Sequence, residues 1–173
     1  MLIMQHSTKK LGMMFTLSGW IIGFLLLALV FSNILDHRAN PNRSVATSQS
    51  TESQQIELVR NSHGHYIFNG EINQKPVTFL VDTGATITSI PSSLQRYLGL
   101  KAGQPFQVST ANGIATAYMT RLDEVMLGEI RLTNVRASLN PGLPDNSILL
   151  GMNVLKHLEL VQRDNALIIR QVY

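Results

Sequence analysis

Residues 79–85, Phe-Leu-Val-Asp-Thr-Gly-Ala, run three large apolar side chains directly into an aspartate. The strand delivering Asp82 is expected to be buried, and a buried carboxylate is costly unless something holds it. The next residues supply what a working carboxylate needs. Gly84 lets the backbone turn tightly enough to bring an N–H to the acid, and Thr83 adds a hydroxyl for a local hydrogen bond. The chemistry open to such a group is proton transfer: an ionised carboxylate takes a proton from water, and a protonated one donates to a carbonyl oxygen. Doing both in one step takes two carboxylates. The plain reading, that Asp-Thr-Gly is an ordinary turn after a strand, is not excluded by the triplet alone.

Other reactive side chains lack a matching context. Asp145 lies in the turn-rich stretch 140–147, Asn-Pro-Gly-Leu-Pro-Asp-Asn-Ser, without a following glycine turn, and is expected to be a solvated loop acid. His63 and His65 could share a strand face, but no cysteine or nearby acid joins them, so no metal site is expected. Neither Ser89 nor Ser92 stands in a G-x-S-x-G setting. The chain has no cysteine, which removes thiol nucleophiles and disulfides from consideration. Met13, Met14 and Trp20 belong to an apolar segment, and no cofactor is called for.

Short elements must position Asp82. Ile-Glu-Leu-Val-Arg from residue 56, His-Tyr-Ile-Phe-Asn-Gly-Glu-Ile from 65 and Pro-Val-Thr-Phe-Leu-Val-Asp from 76 read as strands, with a hairpin turn at Asn73 and Gln74. Pro91, Ser92 and Ser93 open a short helix that Gly99 closes. Strands over 106–110 and 115–122 flank Ala111-Asn112-Gly113, and Asn-Gly suits a tight hairpin, so a two-stranded flap is expected there. A further hairpin turns at Gly128 and Glu129. Then follow a buried strand at 147–151, a short helix at 153–159 and a last hairpin at Asp164 and Asn165. The pattern is mostly β, with too few helices for parallel βαβ units.

The 173 residues leave room for one domain and an appendage. Residues 11–35 carry no charge. A helix of that length reaches roughly 37 Å, enough to span a bilayer with some tilt. A cleaved signal peptide is the competing reading, but its apolar core is usually only about 7–15 residues. Lys9 and Lys10 precede the segment, and Asp36 offsets Arg38 behind it, so residues 1–10 are expected in the cytoplasm and the remainder outside it, in the periplasm or its equivalent. Residues 36–55, rich in Ser, Thr, Asn and Gln, read as a flexible linker. The expected domain, 56–173, holds ten Lys/Arg against nine Asp/Glu, because Lys9, Lys10, Arg38 and Arg43 precede it with Asp36 and Glu52. It is therefore almost neutral, and nucleic acid is not an expected partner.

Leu80-Val81-Asp82-Thr83-Gly84-Ala85, an Asn-Gly flap and Ile148-Leu149-Leu150-Gly151 leading into a helix occur in the order found in retroviral-type aspartic proteases. Over about residues 56–158 the chain resembles this retropepsin-like family, and with its N-terminal segment it resembles a bacterial membrane-anchored member. The resemblance implies a closed β-barrel-like protomer with short helices and a hairpin flap. It also implies a symmetric homodimer that hydrolyses polypeptides, with Asp82 of each copy supplying one catalytic carboxylate. Thr83 would bond across the dimer axis, Gly84 would present its backbone to substrate and acid, and Thr110, Ala111, Asn112, Gly113 and Ile114 would close over the peptide. Leu149, Leu150 and Gly151 would form the supporting motif.

Some positions depart from the viral pattern. An acid two residues after the triplet's glycine and an arginine after the later glycine are usual there; this chain has Thr86 and Met152. Its flap, Thr-Ala-Asn-Gly-Ile-Ala, is poorer in glycine, and the tail 159–173 is longer, so a differently built dimer interface is expected. Pepsin-like enzymes commonly have serine where Ala85 stands. Losing that hydroxyl donor predicts a rate maximum in mildly acidic rather than strongly acidic solution. The alternative function is a non-catalytic peptide-binding or assembly module of the same fold in the cell envelope.

Overall fold

The computed structural model describes residues 5–50, 52–110, 113–144 and 147–172. It divides into two units, Met1–Arg38 and Ala39–Tyr173. The first is built on helix α1, Gln5–Ala39. Large apolar side chains, among them Phe15, Trp20, Phe24, Leu27 and Phe31, are exposed along it, as expected for a helix that is apolar all round. Its polar hydroxyls are turned back on the backbone: Thr16 donates to the Gly12 carbonyl at 3.1 Å and Ser18 to that of Met14 at 2.8 Å. Gly12–Ala39, with a mean hydropathy of 2.3 in its most apolar window, is long and apolar enough to cross a membrane.

The second unit is mostly β. In chain order it contains β1 (Thr47–Gln49), β2 (Ser53–Val59), β3 (Ile67–Ile72), β4 (Lys75–Val81), β5 (Thr88–Pro91), a 3-10 turn (Ser92–Leu94) and α2 (Gln95–Leu98). Then come β6 (Pro105–Thr110), β7 (Gly113–Leu127), β8 (Ile130–Asn140), β9 (Ile148–Leu150), α3 (Met152–Leu155), β10 (Glu159–Arg163) and β11 (Ala166–Val172). Strands β3-β4-β9-β5-β8-β7 form a sheet that closes on itself by pairing β3 with β7, and β6 hangs from the outer side of β7. Closure brings backbones very near each other at Gly70, where a Cβ would lie 2.5 Å from the Met126 carbonyl oxygen. Only glycine fits that approach. A second, antiparallel sheet, β1-β2-β11-β10, collects the strands from the two ends of the unit.

Hairpin turns stand where their residue types predict. Asn73 and Gln74 both have positive φ, 51° and 62°, in the two-residue β3–β4 turn. Asn73 also acts at long range, its Oδ1 accepting from the backbone N–H of Asp123 at 3.0 Å and Glu124 at 3.1 Å. Gly99 closes α2 with φ 70°, and Asp164 turns the last hairpin with φ 51°. The core joins both sheets: Phe68 and Phe79, with ring centroids 5.5 Å apart, pack in one cluster with Ile72, Leu122 and Ile148 of the barrel and Ile56, Leu58 and Ile169 of the terminal sheet.

Three features differ from the sequence reading. The strand at 115–122 and the one leading to the hairpin turn at Gly128 and Glu129 are not separate, because β7 runs unbroken from the flap into that hairpin. Short strands also pair in parallel, β4 with β9 and β5 with β8, without a helical crossover of the βαβ kind. Finally, parts of the stretch expected to be a flexible linker carry regular structure and buried hydrogen bonds. Helix α1 continues to Ala39, β1 pairs with β2, and the buried Asn42 side chain donates to the carbonyls of Val59 at 2.8 Å and Ile67 at 2.7 Å while accepting from the Val59 N–H at 2.7 Å. Short polar side chains that look like solvated tether in composition here satisfy backbone groups between two strands.

Candidate active site

Asp82 is the first residue beyond β4, and its half-buried side chain begins a loop in which Thr83 and Gly84 are exposed. The Gly84 N–H donates to Asp82 Oδ1 at 2.9 Å. The turn is held at the backbone too, with the Ala85 N–H donating to the Asp82 carbonyl at 3.2 Å. A Cβ on Gly84 would lie 3.2 Å from Asp82 Oδ1, crowding the carboxylate that its own N–H holds. Phe79, fully buried, and Val81, packed against the core, thus anchor the strand while the acid emerges at its end.

The loop from Asp82 to Thr88 is fastened from below by β9 and α3. Strand β9 inserts between β4 and β5, pairing Val81 with Leu150 on one side and Ser89 with Leu149 on the other. The Asp82 N–H donates to the Leu150 carbonyl at 3.1 Å. Gly151 then passes under the far end of the loop, where a Cβ would lie 2.6 Å from the carbonyl carbon of Ile87 and 2.8 Å from the Thr88 nitrogen. With φ −90° and ψ 174° its backbone suits any residue, so space rather than conformation demands glycine. Leu149, Leu150 and Gly151 are thereby placed directly against the Asp82 loop.

Two residues not singled out in the sequence complete this support. Asn153 Oδ1 accepts from both the N–H and the hydroxyl of buried Thr88, at 2.7 and 3.0 Å, and its Nδ2 donates to the Arg136 carbonyl at 2.7 Å. The signal was a threonine within the apolar stretch Ile87-Thr88-Ser89-Ile90 and an asparagine two positions after Gly151. Buried polar side chains need partners: these two bond each other, and the Thr88 hydroxyl also accepts from the Gly151 N–H at 3.3 Å. Thr86 and Met152, which replace the acid and arginine of the viral pattern, are linked to the same network through the backbone. The Met152 N–H donates to the Ala85 carbonyl at 2.7 Å, the Asn153 N–H donates to the Thr86 carbonyl at 3.1 Å, and the Met152 side chain packs on the core.

The flap strands are β6 and the start of β7, paired from Pro105–Tyr118 to Thr110–Gly113. Strand β8 joins β7 only from Tyr118 onward, so residues 106–110 and 113–117 make a ribbon of two strands projecting from the sheet. Gly113 has φ 108°, and Ile114 is 78% exposed. Ala111 and Asn112 lie outside the described residues, as does Asp145.

The remaining candidates are structural. His63 and His65 flank a loop organised by Asn61, whose Oδ1 accepts from both backbone N–H groups at 2.9 Å. Among the described residues no cluster of three His, Cys, Asp or Glu could hold a metal. The Ser89 hydroxyl lies 3.1 Å from that of Ser138 in the interior. A cleft of about 520 Å³ lies at the base of the flap, between residues 99–103 and Met119, Arg121 and Arg136, and Asp82 does not line it.

Residues 68–157 match the model of the family described as "gag-polyprotein putative aspartyl protease". A crystal structure of a retropepsin-like aspartic protease from Rickettsia conorii superimposes with a TM-score of 0.60 at 26% identity, covering 72% of this chain and 96% of that one. An uncharacterized protein in the cobV 5′ region of Sinorhizobium sp is 31% identical over 80% of this chain, and the uncharacterized protein RP867 of Rickettsia prowazekii (strain Madrid E) is 28% identical over 90% of it. The chain spans 66% of the first of these relatives, just under two thirds, and 70% of the second. Since the family model takes in more than half of the chain, and the barrel, the Asp82 turn and the β9 insertion lie within the matched residues, this chain belongs to the retropepsin-like aspartic protease family.

Proposed function

We propose that the protein is a membrane-anchored aspartic endopeptidase that acts as a homodimer, with Asp82 of each copy forming a pair of carboxylates. The observation that carries this reading is the Gly84 N–H held 2.9 Å from Asp82 Oδ1, on a loop with an exposed rim and a fastened base. Two carboxylates brought to about 3 Å do not both ionise, so the pair shares one proton. The ionised member takes a proton from a water molecule while the protonated member donates to the scissile carbonyl, giving a tetrahedral diol without a covalent intermediate. Proton transfer to the amine then releases two peptides. No metal or cofactor enters this sequence.

The neighbouring residues take the positioning roles. Thr83, exposed in the single chain, bonds across the dimer axis, and Gly84 and Ala85 flank the peptide next to the acid. Thr110, Ala111, Asn112, Gly113 and Ile114 close over an extended substrate and exclude water. Helix α1 anchors the chain with its N-terminus in the cytoplasm and the protease domain on the opposite side, so substrates are exported or membrane-proximal polypeptides. Anchoring both copies in one membrane raises their effective concentration and favours the dimer.

The test is cleavage of a diverse peptide pool by the full chain in detergent micelles, wild type beside Asp82→Asn, between about pH 4 and about pH 7. Cuts made by the wild type and absent from the variant are expected. Cuts that persist in Asp82→Asn reject the mechanism, and a folded, dimeric wild type that makes none supports a peptide-binding module instead.

A further inference from the structure

Both ends of the β unit are consumed within one chain: β11 lies between β2 and β10, and β1 covers the other side of β2. Among the described residues, the strands nearest the two ends of this unit are thus already paired within the chain. The sheet nevertheless keeps a free edge at β10. Residues 159–163 pair with β11 on one side, and among the described residues they make no backbone hydrogen bond elsewhere. A five-residue edge of this kind is a template for another strand.

The sequence of that edge, Glu159-Leu160-Val161-Gln162-Arg163, is complementary to itself when reversed. An antiparallel pair centred on Val161 sets Glu159 opposite Arg163 of the partner subunit, Val161 opposite the partner's Val161, and Leu160 opposite Gln162 of the partner subunit. The two-fold axis makes each contact twice. Residue parity supports the same register. Leu160 packs inward against the core, which places Glu159, Val161 and Arg163 together on the other face.

On that face Val161 already pairs with Ile168, and Glu159 with Arg170. The Glu159–Arg170 bridge uses Oε2, at 3.0 Å from Arg170 Nη1. Oε1 is left to receive the partner's Arg163, so that each Glu159 would stand between two guanidinium groups. Two Val161 side chains would join two Ile168 side chains in an apolar stripe across the axis. The other edges fit less well: β1 has only three residues, Thr-Ser-Gln, and β6 opens with Pro105 and belongs to the flap.

We propose that β10 is the dimer strand of this protein, pairing antiparallel with β10 of a second copy about Val161 and fusing two four-stranded sheets into one of eight strands. This rests on the reading that the catalytic carboxylates come from two copies, and it names the surface that joins them. The connection to the site is short. Helix α3, whose first residues bond to the Ala85 and Thr86 carbonyls, leads directly through one turn into β10.

The experiment uses the full chain in detergent micelles and exploits its lack of cysteine. Directly opposed residues of an antiparallel pair have Cα atoms about 4.5–5.5 Å apart, within reach of a disulfide. Val161→Cys is therefore expected to give a covalent dimer under mild oxidation, while Ser48→Cys on the β1 edge is expected to stay monomeric on a denaturing gel. Arg163→Glu should weaken the dimer about tenfold, because two opposed pairs become like-charged. Glu159→Arg combined with Arg163→Glu and Arg170→Glu, which keeps residue 159 paired within its own chain, should restore it, an outcome that a merely structural role for these residues does not produce.

Dimerisation and Asp82-dependent cleavage that survive Arg163→Glu, together with no cross-link through residue 161, overturn the β10 interface and leave the protease reading standing. A residue-161 cross-link with charge-swap rescue, but without Asp82-dependent cleavage, supports the interface and rejects the protease reading.

Discussion

The Asp82 loop, which joins β4 to β5 across β9, and the flap ribbon are both excursions from the same barrel, yet they are held in opposite ways. The loop has a third strand, β9, beneath it, a glycine with no space to spare, and an asparagine bonded to three groups. The ribbon beyond Tyr118 has only its own two strands and carries an exposed isoleucine near its tip. An isolated two-stranded hairpin is marginal in water. The difference fits the division of labour in the proposed function: a carboxylate that is to react through geometry sits on a fastened loop, whereas a cover that is to admit a peptide is attached at one end.

The largest effect expected from breaking this contrast is at Gly151. A methyl group there would meet the backbone at Ile87 and Thr88 rather than a side chain that can turn aside. Gly151→Ala is expected to destabilise the protein by about 3 kcal/mol, the upper end of the usual overpacking range, and to abolish cleavage. Denaturant unfolding of the full chain gives the first quantity directly. A variant with wild-type stability would mean that the loop moves freely over α3, against the picture of a fastened base.

A smaller loss is expected from Asn153→Ala. It leaves the buried N–H of Thr88 without its acceptor, a defect worth about 1–3 kcal/mol. Combining it with Thr88→Val separates the hydroxyl contact from the backbone contact. The double variant should lose less than the sum of the single changes, because the 3.0 Å bond between the two side chains is broken by either one. Strict additivity would show that the pair does not cooperate in holding the loop.

Much of this support was invisible in the sequence, for a physical reason. Asn73-Gln74, Gly99, Gly128 and Asp164 were readable because a positive φ is a local demand met by a few residue types. The Asp82 triplet was readable because a carboxylate following three apolar residues contradicts the usual sorting of polar from apolar. The insertion of β9 between β4 and β5, the barrel closure over Gly70 and the Thr88–Asn153 pair join residues far apart in the chain. Their register is fixed by packing that no local pattern records. Asn42 was hidden by composition, since asparagine bridging two strands and asparagine in a solvated tether look alike.

The flap supplies the smallest change in stability and the sharpest test of its separate role. Ile114 is 78% exposed, so Ile114→Ala removes little buried contact in the single chain and should alter unfolding free energy by no more than about 0.5 kcal/mol. If the ribbon closes over a peptide, the same side chain is covered only when substrate is present. Its loss should then appear in kcat/KM, by roughly tenfold for about 1.4 kcal/mol of contact made in the closed complex. The partition between kcat and KM locates that contact. A rise in KM alone means that the ribbon holds ground state and transition state equally, whereas equal losses in kcat and kcat/KM mean that closure tightens as the carbonyl becomes tetrahedral. Unchanged kinetics would place Ile114 outside the closed cover and leave the ribbon as an exposed edge of the sheet, whereas a large loss of stability would mean that its tip is packed and that the contrast with the Asp82 loop is false.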